Sequence, residues 1–435
     1  MRGSAVFRTG IAPGGALAGP WVQNSLWTRA RAVPSLDLRF ADNKSLVNAV
    51  TGAQLVTFTR ASTGTFVGSD GVIQTATTNE PRFDHNPTTG ESLGLLVEEA
   101  RTNNLLQSED FSSTWTSSNI AVTTNSVVAP DGTTTADTIA PPADGLTVTR
   151  FLRQNPILTT QQAYTLSVFA KVGTATTNGI TLYVSDSTAT NIFRANFNLF
   201  TLITSVGNTG WAAPTATIVP YPNGWYRCIL TGVTSTVHVS LRAQIYLNMF
   251  GNTSDTYGTH HIWGAQLEAG ASPTSYIPTT GATVTRAADV ASITGANFSS
   301  WYNQTEGTLF FEGINPAVST TAFAVSDGST NNRLQMETGT NTRVARVVSG
   351  GTTQASNNIA YTYGASQKFA MSYVANSINF ANAGTLGTED TSATIPTVDQ
   401  ARIGANPTGA NPLNNTIKRF TYWPTRTTLQ AITQP

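Results

Sequence analysis

The chain has 435 residues, 24 basic and 24 acidic side chains, zero formal net charge and a charged fraction of 11%, less than half the roughly 25% of an average soluble protein. With no Lys/Arg run, that balance excludes an electrostatic nucleic-acid binder, which needs clustered cations to displace counterions. A hydrophobic content of 40% is too high for a disordered chain, and the length suits two to three domains, each large enough for its own core.

Residues 1–35 are rich in Gly, Pro and Ala without periodicity and read as an extended arm. Pro13, Gly14, Gly15 and Pro20 interrupt any apolar stretch after Arg2 and Arg8, so no secretory signal is expected. Residues 36–106 carry short, turn-rich runs and predict a small β-rich connecting segment. Residues 107–280 hold β-branched and apolar runs at Tyr164–Val172, Ile180–Val184, Trp225–Val233 and His238–Met249, enough for one sandwich. Pro273, Pro278, Thr279-Thr280 and Gly281 mark a joint. Residues 281–435 repeat the pattern at Gly307–Gly313, Thr321–Ser326, Phe369–Val374 and Ile417–Trp423 and predict a second sandwich. Helix formers are scarce while about one residue in six is Thr; the best helical stretch is Thr427–Ala431. Short strands without intervening helices predict an all-β chain, two tandem antiparallel sandwiches after an arm and a connecting segment. No apolar stretch approaches the roughly 18 residues that would insert into a membrane as a helix.

Cys228 is the chain's one cysteine, which leaves no internal disulfide and no CxxC pair. In the run Trp225–Leu230 it reads as a small buried hydrophobe. Four histidines are present, His85, His238, His260 and His261, with no HExxH among them. The adjacent His260 and His261 should point to opposite faces of a strand, one inward and one to water. Glu98 and Glu99 diverge likewise and cannot flank one glycosidic bond; one of them is expected to pair with Arg101 or another Arg. GxSxG, P-loop and E-x-D-x-E patterns are missing, so no catalytic residue and no cofactor is assigned. Asp327-Gly328 with Asn331-Asn332 hints at a calcium loop, but no metal site is expected. Thr59-Arg60-Ala61-Ser62 is echoed by Thr285-Arg286-Ala287-Ala288-Asp289, either by chance in a biased composition or because each Arg pins a strand start on carbonyls or a carboxylate.

Aromatic residues are the remaining means of recognition, because sugar rings stack on exposed aromatic faces. Trp115, Trp211, Tyr221, Trp225, Tyr226 and Trp263 fall in the first sandwich. Trp225 and Trp263 lie inside apolar runs and belong to packing. Trp211, between Gly210 and Ala212, and Tyr221, between Pro220 and Pro222, sit in turn-like surroundings and are the candidate ligand-binding residues.

Three stretches resemble a known family. The first comprises Phe58–Phe66, Asn79–Asp84 and Gly94–Asn103 with Leu105-Leu106. The second comprises Trp263–Gly270, Pro273–Thr279 and Thr285–Asp289. The third is Ile417–Pro424 with Leu429–Ala431. Together they resemble tailed-bacteriophage virion appendage proteins, the tail fibres and head spike or head fibre proteins, over nearly everything after residue 36. The resemblance implies a carbohydrate-binding jelly roll in the middle and a concanavalin/laminin-G-like sandwich at the end. It further implies an N-terminal arm docked on other virion proteins, a homotrimer, and a virion-surface location after synthesis in the host cytoplasm. The expected function is a displayed, non-catalytic appendage that attaches to host-surface glycans, where several copies raise avidity. A mainly structural head decoration protein is the alternative, and a polysaccharide depolymerase the lesser one.

Overall fold

The computed structural model describes residues 26–142, 148–158, 161–176, 179–234, 240–247, 258–314, 320–339, 342–361, 364 and 366–435. Most of the expected arm, residues 1–25, lies outside them, as do both ends of the expected strand His238–Met249. Among the described residues the chain is nearly all β, in antiparallel sheets, with a few helices of five residues or fewer.

The middle sandwich faces two six-stranded sheets against each other. One runs in the order Thr215–Pro220, Trp225–Val233, Ala163–Val172, His260–Ala269, Ala136–Ala140, Ala121–Val127. The other runs Ile203–Thr209, Ile192–Asn198, Gly179–Asp186, Leu241–Tyr246, Phe151–Gln154, Thr116–Ser118. Strand periodicity of two sends alternate residues inward. Leu166, Val168, Ala170, Cys228 and Leu230 join Leu182, Val184, Phe193 and Ile245 in one core, while Phe169, Trp225 and Trp263 face the opposite side. The C-terminal sandwich pairs an eight-stranded with a seven-stranded sheet. Leu309, Phe311, Phe323, Met336, Val347, Phe369, Phe420 and Tyr422 fill the space between them.

The segment expected only to connect is built into that second sandwich. Leu36–Leu38 and Ser92–Val97 both pair with the late strand Asn415–Trp423, Phe83–His85 adds outside Ser92–Val97, and Thr57–Thr59 pairs with Val290–Thr294 in the opposite sheet. Gly94 marks how closely these backbones approach: its φ is +93°, and a Cβ there would lie 2.0 Å from the Ile417 carbonyl oxygen. Residues 26–35 are not extended either. Helix Leu26–Ala30 lies with the C-terminal helix Leu429–Thr433 over the outer face of the eight-stranded sheet, burying Leu26, Ala30, Phe310, Trp423 and Ile432 together. Asp37 fastens this region. Its buried carboxylate accepts from Trp27 Nε1 (2.9 Å), Thr421 Oγ1 (2.8 Å) and Arg419 Nη2 (2.7 Å). Burial alone would raise its pKa, but Arg419 and Arg39 outweigh that and lower it.

Cys228 lies wholly inside the middle core, where burial pushes the thiol well above its ordinary range. The folded protein is therefore expected not to react with a thiol-specific disulfide reagent at pH 8, and to release one equivalent per chain on denaturation. Reaction of the folded protein at the rate of a free thiol would contradict the packing.

Candidate functional site

Where the connecting segment, the middle sandwich and the C-terminal sandwich meet, the chain buries a cluster of charges. Glu98, just beyond the strand Ser92–Val97, receives Arg286 Nη1 (2.7 Å), Arg82 Nη2 (2.8 Å) and the Ser275 hydroxyl (2.7 Å) on Oε2, and the Ser275 amide (2.7 Å) on Oε1. Asp289 takes Arg60 Nη1 (3.1 Å) on Oδ1, and Arg82 and the Glu98 amide (2.9 Å) on Oδ2. Each Arg also donates to carbonyls in or beside neighbouring strands: Arg60 to Ser62 and Thr77, Arg82 to Thr65, Arg286 to Glu99. The echo between Arg60 and Arg286 is thus two halves of one cluster, each pinning a strand end. Burial would raise the Glu98 pKa, yet Arg286, Arg82 and the Ser275 donors hold it at about 2. Glu99 turns the other way and pairs with Arg101 (2.6 Å to Nε).

Beside this cluster opens a cleft of about 330 Å³, within the range of small-molecule sites, which favour such junctions between domains. Its aromatic wall is Phe66, Phe169, Tyr221 and Tyr276. Tyr221 meets Phe169 edge-on, with centroids 5.0 Å apart at 85°. Arg227, on the outward side of Trp225–Val233, lies with its guanidinium carbon 5.5 Å from the Phe169 ring centre and donates to Ser167 Oγ (3.1 Å). Its Nε is buried without a partner. Asp84, from Phe83–His85, accepts the Val67 amide (2.6 Å). Burial pushes its pKa up to about 6, with Glu98 adding to the rise and Arg82 opposing it. Burial likewise pushes the Tyr221 phenol up to about 12, while the charges of Arg227 and Asp84 act on it in opposite directions. A donor (Arg227), an acceptor (Asp84) and a neutral phenol (Tyr221) thus line one aromatic-walled cleft, a set suited to a hydroxyl-bearing ring.

Of the two residues proposed for ligand contact, only Tyr221 lines the cleft. The expectation of an exposed Trp211 is wrong: its side chain is 2% exposed and packs 5.8 Å from the Phe193 ring inside the middle core. The turn is real, but it folds the indole inward. Gly210 has φ +70°, and a Cβ there would meet Asn191 Oδ1 at 1.9 Å. Asp84, Arg227 and Phe169 were missed. A charged residue alternating with Cys228 along an apolar strand was the available signal for Arg227. The histidine pair divides as expected, with His260 buried and His261 half-buried against Thr138 Oγ1 (2.9 Å). At the hinted calcium loop, Asp327 accepts from Ser329 and Asn332 within its own turn. Among the described residues no three His, Cys, Asp or Glu side chains group as metal ligands.

No family model matches the chain, and no curated protein matches it significantly. Among solved structures, it is similar to domains LG4-5 of the mouse laminin α1 chain at 10% identity, covering 61% of this chain and 81% of that one, with a TM-score of 0.21. A tail fibre protein of an E. coli phage gives 9% identity over 73% of this chain and 40% of that one, with a TM-score of 0.22. Trypanosoma rangeli sialidase gives 10% identity over 68% and 60%, with a TM-score of 0.25. At such scores none of these likenesses bears on function.

The charges at the joint can be tested through stability. Glu98→Ala leaves Arg60, Arg82 and Arg286 with Asp289 as the one carboxylate of the cluster and is expected to destabilise the fold by about 3–5 kcal/mol in denaturant titration. A loss under 1 kcal/mol would contradict the geometry. Asp84 has the opposite sign. Its raised pKa means the folded state holds the proton more tightly, so its contribution to stability is lost as pH rises from about 4 through about 6. Asp84→Asn is expected to gain on the wild type across that window, by up to about 3 kcal/mol at pH 7. A constant difference between the two proteins from pH 4 to 7 would refute the assignment.

Proposed function

We propose that this chain is a displayed component of a bacteriophage virion that binds host-surface sugars without cleaving them, through the cleft lined by Tyr221, Asp84 and Arg227. The observation that carries the sugar-binding reading is the cleft itself. Asp84 accepts sugar hydroxyls, Arg227 donates to sugar oxygens, and Phe169 with Tyr221 supplies apolar contact. The virion assignment draws on the motif resemblance at Phe58–Phe66, Gly94–Asn103, Trp263–Gly270 and Pro273–Thr279. A Thr-, Ser- and Asn-rich surface with few charges is compatible with weak contacts repeated over several copies. In this reading the copies form a homotrimer, anchored to other virion proteins through the N-terminal residues.

A structural role in head decoration is the second reading. It is favoured by the exposed apolar residues Phe200, Leu202, Ile203 and Val206 along one edge of the middle sandwich, the kind of edge that proteins normally protect or pair. A depolymerase would draw on Asp84 and Glu98, whose pKa values are pushed apart as in an acid–base pair. Against it, both Glu98 oxygens are already committed to Arg286, Arg82 and Ser275.

On an array of bacterial surface glycans the folded protein is expected to select a subset. Tyr221→Ala and Arg227→Gln should each weaken that binding about ten-fold or more, a loss of about 1.4 kcal/mol, measured well below each variant's melting temperature because both side chains also pack on Phe169 and their loss lowers stability. No binding by the wild type would favour the structural reading, and undiminished binding by both variants would remove the cleft from it. Release of reducing ends from a bound polysaccharide would establish the depolymerase instead.

A further inference from the structure

Arg343 lies far from the cleft, inside the C-terminal sandwich. It shares its strand face with Ala345 and Val347, both in the core, and is 0% exposed. Its Nε, Nη1 and Nη2 are all buried and none has a hydrogen-bond partner. It enters no ion pair among the described residues; burial is the main influence on it and pulls its pKa down to about 10. Its guanidinium carbon sits 4.0 Å from the Tyr361 ring centre and 4.4 Å from that of Phe369. Aromatic carbon therefore holds the flat of the group and leaves its edge of N–H donors unused.

A lone guanidinium in a protein interior is strongly unfavourable unless an anion meets it, and contact with rings recovers only part of that. The surroundings are polar in a consistent way. Asn382 is the register partner of Phe369 and shares its strand face with Phe380 of the core. Its amide donates to the Ala360 carbonyl and to Gln367 Oε1 (both 3.3 Å), while its Oδ1 is buried without a donor. Thr338 is the register partner of Arg343 and meets Thr320 Oγ1 at 3.0 Å. One end of this sandwich core is thus lined with unused N–H donors and one unused acceptor.

We propose that this end of the C-terminal sandwich binds the carboxylate of a small hydroxy acid, such as a sugar acid, edge-on at Arg343. A carboxylate matches the planar fork of a guanidinium in two parallel hydrogen bonds. A hydroxyl on the same molecule supplies the donor that Asn382 Oδ1 lacks. Packed sheets stand about 10 Å apart, so only the carboxylate and the nearest hydroxyl-bearing carbon enter between them. The group is enclosed, and access requires side chains at this end to change rotamer. The site stands independently of the cleft at Tyr221.

The test is thermal unfolding of the full chain in sodium glucuronate, with glucose and sodium chloride as matched controls. Glucuronate is expected to raise the melting temperature saturably, and glucose is not. Arg343→Met should abolish the response while melting no lower than the wild type, because removing an uncompensated buried cation relieves the fold. Arg343→Lys keeps the charge but loses the fork. It should shift the midpoint of the response at least about ten-fold, and it carries the test if the Met variant does not fold. Tyr221→Ala should leave the response unchanged. No response in the wild type overturns the proposal, as does an equal response to glucose or an undiminished one in the Arg343 variants. A response lost in Tyr221→Ala but kept in Arg343→Met would place the carboxylate in the cleft and overturn it equally.

Discussion

Three guanidiniums and two carboxylates sit together in the interior, drawn from Arg60, Arg82, Glu98, Arg286 and Asp289, and the joint between the chain's parts depends on how they satisfy one another. Removing such groups from water is costly, several kcal/mol per ion, and mutual attraction repays it only with good geometry and further hydrogen bonds. That condition constrains the backbone. Arg60, Arg82 and Arg286 each reach past the carboxylates to carbonyls in or beside the neighbouring strands, so the cluster forms only when those segments lie where they do. Residues separated by about two hundred positions must arrive together; the Arg60–Asp289 contact spans 229. An apolar cluster of similar size would tolerate sliding in a way that directional ion pairs do not.

The same constraint changes the meaning of the low charge. Twelve Lys, Arg, Asp and Glu side chains among the described residues are buried, so part of an already small complement of charge is withdrawn from the surface. Solubility there falls to hydroxyls and amides, which Thr, Ser and Asn supply along the outward faces of the strands. The buried share of the charge acts as an internal fastening. Asp37 repeats the pattern on a smaller scale, tying Trp27 to Arg419 and Thr421 across the length of the chain.

The strands were the most legible part of the sequence. Trp225–Val233 and Thr321–Ser326 match their apolar runs to the residue, and Tyr164–Val172 differs at one end by one position, because alternation on a half-buried sheet writes itself into composition. What a strand pairs with is not written there. Leu36–Leu38 and Ser92–Val97 were legible as β but not as partners of a strand more than three hundred residues later, since pairing depends on long-range register rather than local pattern. The Arg60 and Arg286 echo and the divergence of Glu98 from Glu99 were readable because both are local. Trp211 misled for a related reason: turn residues around it locate the backbone at the surface but leave the direction of the indole to the packing of Phe193. Asp84 and Arg227 were invisible as a site because they come together only when two modules dock.

The cleft and the cluster are consequences of one docking. Thr65, Ser275 and Glu98 serve both: they bind the buried guanidiniums and also line the cleft. The walls that carry Asp84 and Arg227 are therefore held by ion pairs whose loss would loosen the joint, and the separation of donor from acceptor across the cleft is fixed by the fold rather than by a ligand. Preorganisation of this kind lowers the ordering cost of association, which matters most where each individual contact with a neutral sugar is weak. A rigid joint is in that sense complementary to the weakly binding surface proposed for the cleft. In the proposed multi-copy assembly, repetition would multiply the second only if the first keeps every copy in the same geometry.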